Sequence, residues 1–509
     1  MIEHVFVLML ENRSFDHMLG LAGIRGIDAA TGEQRAVDGL GGNEFNRLPS
    51  GAEIAVGKGA DWIMGADPGH EFTHVLEQLC GVGAAYAPGS AYPPINNSGF
   101  AASFAAQDPG HNPATVMQCF RPEQVPVLVA LATSFGVCDR WFSSLPGPTW
   151  PNRLFLHAAS SSGLDSSPVG IEHLSAVLAG YQFRNGTIYD RLNAAGLKWH
   201  IVEGDELPQS LTIAGLIDSA LQDHFWDMQE FSAALSTPGF ADHYVFIEPN
   251  YGHVLYDGSN FKCGNSQRPL DDVTRGEKLI KDVYEMIRRS PYWEQSALII
   301  TYDEHGGFFD HVPPPAAAPP GDNPSPDYGH FGFDFSRLGV RVPAVVVSPY
   351  TPAGVVDHQV HDHSSVPATL EALFGLEPMT DRDRAAAPLT AMFLLPAARA
   401  DAPLTLPDPA NSGLPDCEGS LGEKLAASLT SPGNLAGRVD DARVGFLHVA
   451  IARQLYMAAK ATGDLESAVA AEGDRLLSTF GAITNKFEAA KFIEQTRQEY
   501  QAQKSSGSQ

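Results

Sequence analysis

VFVLMLENRSFDH, residues 5–17, is the segment from which the arrangement of the whole chain can be inferred. Its first six residues are apolar, show no helical periodicity and are too few to cross a membrane. Such a run is typical of a strand buried on both faces, as in a parallel sheet. The strand stops at Glu11 and Asn12, and the carboxyl ends of strands line the ligand crevice of open α/β sheets. These two side chains are therefore candidates to hold a metal or a phosphate, or else they cap the helix that follows.

A second apolar run, residues 297–302, also ends on acidic residues, Asp303 and Glu304. Two buried strands that bring carboxylates to one sheet edge would repel each other unless a cation lay between them. Oxygen donors from Glu11, Asn12 and these two acids suit magnesium, calcium or manganese, with zinc not excluded. The alternative is that Asp303 and Glu304 form salt bridges in a surface loop.

Thr149 lies in a Gly- and Pro-containing loop that turns into a predicted helix. A hydroxyl is a weak nucleophile at its own pKa, but a metal bound to it stabilises the alkoxide. The start of the helix also offers amide donors to an anion. Thr149 is therefore a candidate nucleophile and metal ligand, or else simply the N-cap of the helix.

The net charge of −27 on 509 residues excludes some partners and allows others. It argues against nucleic acid, which is bound by neutralising phosphates with Lys and Arg. It also argues against a basic patch resting on an anionic membrane. A small anionic or zwitterionic substrate is still compatible with it, because a local metal inverts the field in a cleft.

The sequence shows no targeting segment and no metal or disulfide pattern in its cysteines. No basic region or cleavage site flanks the first apolar run, and no run reaches the length of a spanning helix. The five cysteines are odd in number and widely spaced, which predicts ordinary thiols. We expect a cytoplasmic protein, and a non-classical export route would leave no signal in the sequence.

Strands and helices alternate along most of the chain, which predicts an α/β fold with a mostly parallel sheet covered by helices on both faces. Further strands are predicted at residues 135–138, 198–202, 244–247 and 344–348. Helices are predicted at residues 71–79, 122–133, 274–290 and 365–374. Residues 20–60 are expected to form loops with at most short strands, and residues 83–114 to cover the mouth of the site.

Composition divides the chain into three regions. Residues 1–398 form the predicted sheet domain, and residues 399–435, rich in Pro and small polar residues at their start, a linker-like region. Residues 436–509 form a predicted helical region with helices at 444–461 and 465–503 and a disordered tail from 504. This region carries no catalytic signature, and it could act as a lid, a packing element or an oligomer contact. The sequence does not predict the oligomeric state.

Several blocks of the sequence resemble the phosphoesterase family, which contains plant non-specific phospholipases C, bacterial phosphatidylcholine-type phospholipases C and related acid phosphatases. The blocks are ENRSFDH at 11–17, DPGH at 67–70, FRPEQVPV at 120–127, CDRWFSS at 138–144, TWPNR at 149–153, ITYDEHGGFFDHVPPP at 300–315, LGVRVPAVVVSPY at 338–350 and DHSSVPATLEALF at 362–374. Together they cover residues 2 to about 385 in the family's order. Within the family, these sequence blocks are most similar to those of the phospholipase C branch.

The resemblance implies an alkaline-phosphatase-like fold and assigns roles to single residues. Glu11, Asn12, Asp303 and Glu304 would hold the metal, and Thr149 matches the position of the family nucleophile. His70 matches a histidine near the phosphate and the leaving group. From its own surroundings in the sequence, His70 would instead be a surface histidine in a turn.

One block departs from the family pattern, which usually has a histidine before proline and another histidine after it. This chain reads QRPLDDV at residues 267–273. Arg268 could replace the first histidine as a cation on phosphate oxygens, because guanidinium pairs well with phosphate. It could not donate a proton in that histidine's place, and it could also be a solvated loop residue. His305, His311, His358 and His363 are further candidates for roles around the site.

The sequence therefore predicts a metal-dependent phospholipase C that acts through a phosphothreonine intermediate, with phospholipid or a small phosphoester as substrate. Asn12, His70 and Arg268 would join the metal in offsetting charge on the phosphate oxygens. Contact with a membrane surface would be transient. One alternative is an acid phosphatase with the same site, and another is a non-catalytic protein that binds phospholipid or phosphate.

Overall fold

A computed structural model describes residues 2–168, 178–252, 254–256, 260–322, 328–414 and 441–507. The strands are β1 His4–Leu10, β2 Arg25–Asp28, β3 Gln34–Ala36, β4 Phe45–Arg47, β5 Glu53–Ala55, β6 Gly57–Lys58, β7 Gln118–Cys119, β8 Gly136–Cys138, β9 Lys198–Glu203, β10 Phe225–Asp227, β11 Asp242–Ile247, β12 Val254–Tyr256, β13 Asn260–Lys262, β14 Ser296–Tyr302, β15 Ala344–Val347 and β16 Val355–Asp357. The α-helices are α1 Phe15–Leu19, α2 Phe72–Cys80, α3 Phe100–Gln107, α4 Pro126–Ser134, α5 Thr149–Ala158, α6 Ile188–Ala194, α7 Leu216–Leu221, α8 Met228–Ser236, α9 Val273–Arg289, α10 Ser365–Phe374, α11 Asp381–Ala385, α12 Asp441–Thr462, α13 Leu465–Ala482 and α14 Lys486–Gly507.

A ten-stranded sheet organises these elements, in the order β10-β9-β11-β1-β14-β15-β8-β16-β2-β3. Neighbouring strands are parallel from β10 to β14 and again from β8 to β2. Only β15 and the edge strand β3 run the opposite way within this sheet. The predicted mostly parallel sheet is confirmed.

The two strands predicted to carry the site lie side by side at the centre of the sheet. All seven residues of β1 and all seven of β14 are buried, as expected for strands covered on both faces. They pair in parallel from His4 opposite Ser296 to Leu10 opposite Tyr302. Because this register is in phase to the last pair, the residues that follow, Glu11 and Asp303, emerge together at one sheet edge.

Several predicted elements are found with small changes of bounds, and others were missed. All of the predicted strands and helices of the sheet domain are present, and residues 20–60 contain only the short strands β2 to β6. The predictions missed β10 and β16 in the main sheet, and α3 within the stretch expected to be loop.

The C-terminal helices differ from the prediction in two places. The single helix predicted for residues 465–503 is broken between Ala482 and Lys486. The tail was predicted to be disordered from residue 504, but α14 continues to Gly507, so that prediction is wrong up to this residue. Among the described residues, no helix combines the length and apolarity that a transmembrane span requires.

The prediction that all cysteines are ordinary thiols is wrong for Cys263, which is disulfide-bonded. Cys80, Cys119 and Cys138 are free thiols, and Cys417 lies outside the described residues. Disulfides persist mainly in oxidising compartments, and the disulfide at Cys263 therefore does not support the cytoplasmic location. That location remains a prediction from the sequence.

The C-terminal helices pack against the carboxyl end of the sheet. The helix α12 contacts α7, α13, α14 and the 3-10 helix Gln209–Thr212. A buried ion pair fixes it there, because Arg453 donates to Glu203 at the end of β9 over 2.5 Å. Residues 399–414 run along α9, where Lys281 donates to the Leu406 carbonyl and Arg288 to the Ala402 carbonyl.

Candidate active site

Glu11 and Asn12 are buried at the end of β1 and do not cap the next helix. That role belongs to Ser14, whose hydroxyl accepts from the His17 amide at the start of α1. Asn12 has a φ of +58°, a left-handed conformation that Asn adopts more readily than most residues. This turn directs the Asn12 amide to Asp303 Oδ1, 2.9 Å away. The two strand ends are therefore joined by a hydrogen bond.

Asp303 and Glu304 are completely buried, which excludes surface salt bridges for them. Asp303 Oδ1 also accepts from the Glu304 amide over 2.7 Å, and Glu304 Oε2 accepts from the Gly306 amide over 2.8 Å. Burial raises the pKa of Glu304 well above its usual value, and the neighbouring Asp303 charge adds to the rise, while His70 opposes it. Burial also raises the pKa of Glu11, against the opposing charge of Arg153.

Arg153 is the buried cation among these acids. Its Nη2 lies 3.7 Å from Glu11 Oε1 and its Nε lies 3.4 Å from Asp303 Oδ2. Nη2 also donates to the carbonyls of Met9 and Leu10, at the end of β1. One guanidinium thus contacts carboxylates and backbone from both central strands.

The donor set fits a divalent cation. Three carboxylates, those of Glu11, Asp303 and Glu304, are buried together at the ends of β1 and β14, and Arg153 contacts the first two of them. Asp303 Oδ2 and Glu304 Oε1 are buried without a hydrogen-bond donor among the described residues. A buried acceptor without a donor is costly unless a cation or water satisfies it.

Among the described residues, two other groups of acidic, histidine or cysteine side chains bring ligand atoms within 4.8 Å of one another, whereas the predicted ligands do not form such a group. Asp16, Asp310 and His311 already have a cation, since Arg341 contacts both carboxylates at about 3 Å. Cys138, Asp357 and His361 form the second group; there His361 Nε2 lies 3.1 Å from Asp357 Oδ2, and the Cys138 thiol donates to a methionine sulfur.

Thr149 begins α5 and is half-buried, whereas Pro148 is the N-cap, so the capping alternative does not hold. Thr149 lines a narrow cleft together with Glu11, Asn12, His70 and Arg268. The cleft encloses about 30 Å³ of free space. Five of the seven predicted site residues therefore meet in one cleft, and Asp303 and Glu304 lie behind them.

His70 is held at the cleft by its backbone turn and by negative neighbours. Its Nδ1 donates to the Pro68 carbonyl over 2.9 Å. Burial lowers the pKa of His70, but the carboxylates of Glu304, Asp67 and Glu71 outweigh burial and raise the pKa to about 9. A protonated imidazole beside a cleft can attract an anion or give a proton to a leaving group.

Arg268 is buried at the cleft and is not a solvated loop residue. Its carbonyl accepts from Arg13 Nη2 over 3.2 Å, which ties its backbone to the turn after β1. The preceding residue, Gln267, has a φ of +70°, so the chain turns sharply there. The backbone at Arg268 is therefore fixed, and this residue lines the cleft.

Gln209 supports Glu11 from a distant part of the chain. Its side-chain amide donates to Glu11 Oε1 over 3.1 Å, and it also lines the cleft. The backbone N–H of Gln209 donates to Glu248 Oε2, and the same oxygen accepts from the Tyr251 hydroxyl. Buried hydrogen bonds of this kind fix the orientation of a ligand residue.

The C-terminal region forms one wall of the cleft. Phe446 of α12 lines the cleft beside Trp150, and the two ring centroids lie 5.9 Å apart. The backbone at Gly445 approaches the same indole so closely that a Cβ there would lie 2.2 Å from Trp150 Nε1.

Gly445→Ala is therefore expected to displace α12 or Trp150 and to destabilise the protein by about 1–3 kcal/mol, with a fall in activity because the cleft wall moves. Urea unfolding and turnover by the purified variant measure both effects. Gly473→Ala is the matched control, since a Cβ there meets only ordinary contacts of 3.5 Å and longer. Equal behaviour of the two variants would contradict the expectation.

The four further histidines are engaged by the protein. His305 Nε2 lies 2.7 Å from Gln78 Oε1, and His311 contacts Asp16. His358 contacts Asp139. His363 Nε2 donates to the Asp303 carbonyl over 2.6 Å and its Nδ1 accepts from Trp141, so it supports the end of β14.

Sequence reasoning assigned no role to several cleft residues. These are Asp67, Trp150, Arg153, Ser167, Gln209 and Phe446. A signal existed for Arg153, because it lies four residues after Thr149 in α5 and thus on the same helix face. No motif marks Gln209 or Phe446, which come from distant elements.

Comparison with known proteins gives a consistent picture. The model of the Phosphoesterase family matches residues 2–377. Non-specific phospholipase C3 of Arabidopsis thaliana is 35% identical over 418 residues, covering 80% of this chain and 76% of that protein. Non-specific phospholipase C6 of the same plant is 37% identical over 423 residues, covering 80% and 75%. Phospholipase C B of Mycobacterium tuberculosis is 30% identical over 401 residues, covering 74% of each chain.

Similar solved structures include a protein of the alkaline phosphatase superfamily from Vibrio parahaemolyticus, 15% identical, covering 52% of this chain and 64% of that one with a TM-score of 0.30. The phosphonate monoester hydrolase of Agrobacterium radiobacter is 12% identical, covering 53% and 72% with a TM-score of 0.30. These scores are too low to support an argument about the site.

Proposed function

The chain belongs to the phosphoesterase family, and on that basis we propose that it is a metal-dependent phospholipase C. Its substrate would be a glycerophospholipid, and its products diacylglycerol and the phosphorylated head group. The relatives with the highest identities among those compared above are named phospholipases C, which supports this choice within the phosphoesterases.

The residues proposed to hold the metal are Glu11, Asn12, Thr149, Asp303 and Glu304. Bound there, a divalent cation would supply positive charge that favours the threonine alkoxide and offsets charge on the phosphate oxygens. The oxygen donors favour calcium, magnesium or manganese, and zinc remains within the proposal.

The chemistry proposed for the chain's own residues has two steps. Thr149 Oγ loses its proton to solvent and forms a bond to phosphorus while the bond from phosphorus to the diacylglycerol oxygen breaks, and His70 gives that oxygen a proton. Water then attacks the phosphothreonine and gives one proton to the neutral His70, while the bond from phosphorus to Thr149 Oγ breaks. The phosphorylated head group leaves, and the threonine oxygen takes a proton from solvent. Asn12 and Arg268 stabilise negative charge on the phosphate oxygens during both steps.

The meeting of Thr149 with Glu11, Asn12, His70 and Arg268 in one cleft is the observation that carries this proposal. These residues come from four separate stretches of sequence. A threonine in one cleft with a buried carboxylate and two cationic side chains is suited to phosphoryl transfer and has little use in a purely structural turn.

The test is turnover of a phospholipid panel by protein that has been stripped with a chelator and resupplied with calcium, magnesium, manganese or zinc. Release of diacylglycerol and a phosphorylated head group is expected with at least one metal and not with the chelator. Absence of diacylglycerol under every condition would contradict the proposal.

The narrow cleft favours one second candidate, a phosphomonoesterase with the same residues. It would release inorganic phosphate from a soluble aryl phosphate and leave phospholipids intact. A non-catalytic binding protein would bind phosphate but turn over neither substrate. The same panel, extended with an aryl phosphate, distinguishes these outcomes.

A further inference from the structure

Residues 81–98 form an exposed loop, called the neutral loop below, between α2 and α3. It lies within a longer stretch, residues 78–107, that contains no Asp, Glu, Lys, Arg or His. In a chain whose side chains are 18% charged and whose net charge is −27, a stretch of this length without any charge is unusual.

The surface of the neutral loop is apolar or weakly polar. Val82 is 52% exposed, and the other exposed residues of the loop are glycine, alanine, proline, serine and asparagine. Tyr86 and Tyr92 are half-buried below them. Val82 is the one exposed large apolar side chain of this loop, and the loop residues around it carry no charge that contact with an interfacial phase would have to desolvate.

The neutral loop is connected to the cleft through an aromatic cluster. Phe72 lies two residues after His70 and stacks on Phe331, with the ring centroids 4.7 Å apart. The Phe72 ring also contacts Tyr86 at 5.6 Å and Tyr92 at 6.5 Å. The loop is therefore packed on the first residue of α2, two positions after the cleft histidine.

A second connection joins the same cluster to the cleft through Asp165 and Ser167. The buried Asp165 carboxylate accepts from the backbone amides of His330, Phe331 and Phe333 at 2.7–3.2 Å. Two residues later, Ser167 lines the cleft and its amide donates to the Glu71 carboxylate. The aromatic cluster is thus tied to the cleft at two points, and the tyrosines of the neutral loop pack on it.

We propose that the neutral loop is the surface by which this protein docks on a zwitterionic phospholipid bilayer, with Val82 and its neighbours in contact with the head groups. The inference rests on the proposed phospholipase function. A strongly acidic protein is repelled by anionic lipid, and charged side chains are costly to desolvate at an interface. The neutral loop carries no charged side chain and avoids most of both costs, with the Glu77 carboxylate, which accepts from the Gly83 amide over 3.2 Å, at its margin. Its tyrosines pack on Phe72, close in sequence to the cleft histidine.

The exposed Asp334 marks the edge of this surface. Its charge acts on the Tyr86 hydroxyl, and nearby Gly332 packs against Pro88. A carboxylate at this position would stay in water while the neutral loop contacts the lipid. The docking is therefore shallow and reversible.

The first experiment measures co-sedimentation with phosphatidylcholine vesicles in a Thr149→Ala background, so that no lipid is consumed. Val82→Asp is expected to weaken vesicle binding about tenfold, because it replaces an apolar contact with a charge. Leu404→Asp is the matched control, since Leu404 is 60% exposed and lies in the segment packed along α9. It should bind vesicles as the parent does.

The second experiment compares hydrolysis of phosphatidylcholine in vesicles with hydrolysis of a short-chain phosphatidylcholine dispersed as monomers. Val82→Asp should slow hydrolysis only in vesicles. The docking proposal is overturned if the parent does not bind vesicles, if Val82→Asp binds as tightly as the parent, or if both substrates are affected equally. A change in sedimentation coefficient of Val82→Asp without a change in vesicle binding would assign the loop to contact between copies and also overturn it.

These outcomes are separate from failure of the proposed function. If the wild-type protein with its native Thr149 hydrolyses neither substrate, the phospholipase proposal fails, whatever the vesicles show. If it hydrolyses the dispersed lipid and Val82→Asp binds vesicles normally, only the docking surface is wrong.

Discussion

Thr149→Ala is expected to reduce phosphoester hydrolysis by at least about 10³-fold, because it removes the oxygen that attacks phosphorus. The side chain is half-buried at the first position of α5 and is not the helix cap. Loss of its hydroxyl should therefore leave the free energy of unfolding nearly unchanged. Turnover of the best substrate in the panel and urea unfolding measure the two quantities.

Thr149→Ser is the control for this variant, since it keeps the hydroxyl and should keep a large part of the activity. In the wild-type protein, acid quenching during turnover should trap the phosphorylated head group on Thr149, and this covalent adduct should be absent from Thr149→Ala. Full activity of Thr149→Ala would assign the attack to another group, such as water.

The central strands could be predicted from sequence because the features that identify them lie within a few consecutive residues. The apolar runs that form β1 and β14 have no helical period, and both end at a carboxylate. A parallel sheet then places the two ends at one edge. The observed register, with Leu10 opposite Tyr302, places Glu11 and Asp303 next to each other as this prediction requires.

Other parts of the sheet could not be predicted because the apolar pattern carries no information about them. The strands β10 and β16 have three residues each, too few to show a period. The reversed direction of β15 depends on the path of the chain between β14 and β15, whereas its four buried residues would look the same in either direction.

The candidate site also contains residues that could be predicted from the sequence and residues that could not. Glu11, Asp303 and Thr149 could be predicted because each follows or begins a recognisable element. Phe446 could not, because it enters the cleft only through the packing of α12 on Trp150. Its helix lies beyond residue 377, where the match to the family ends, so neither pattern nor resemblance pointed to it.

Arg153→Met is expected to lower the free energy of unfolding by about 3–5 kcal/mol when a chelator is present, because removal of one partner leaves buried charges uncompensated. Glu11 and Asp303 would both lose their guanidinium contact. The pKa of Glu11, which burial already raises, would then rise further, because the opposing charge of Arg153 is gone. The loss of stability should therefore be greater at pH 8 than at pH 5, where protonation relieves part of the repulsion.

Two controls separate this effect from the loss of any arginine. Arg384→Met breaks an ion pair whose arginine side chain is 60% exposed, and exposed pairs contribute less than about 1 kcal/mol. Arg153→Lys keeps the charge but lacks the fork that reaches two carboxylates, so its loss of stability should be intermediate. Urea unfolding of the three variants gives the comparison.

Added metal is expected to stabilise Arg153→Met and the wild-type protein to different extents. If the acids at the ends of β1 and β14 bind a divalent cation, that cation supplies part of the charge that Arg153→Met has lost. Added metal should then stabilise Arg153→Met more than it stabilises the wild-type protein. Equal stabilisation of both proteins would show that Arg153 and the metal do not act on the same carboxylates, and the assignment of Glu11 and Asp303 as ligands would have to be withdrawn.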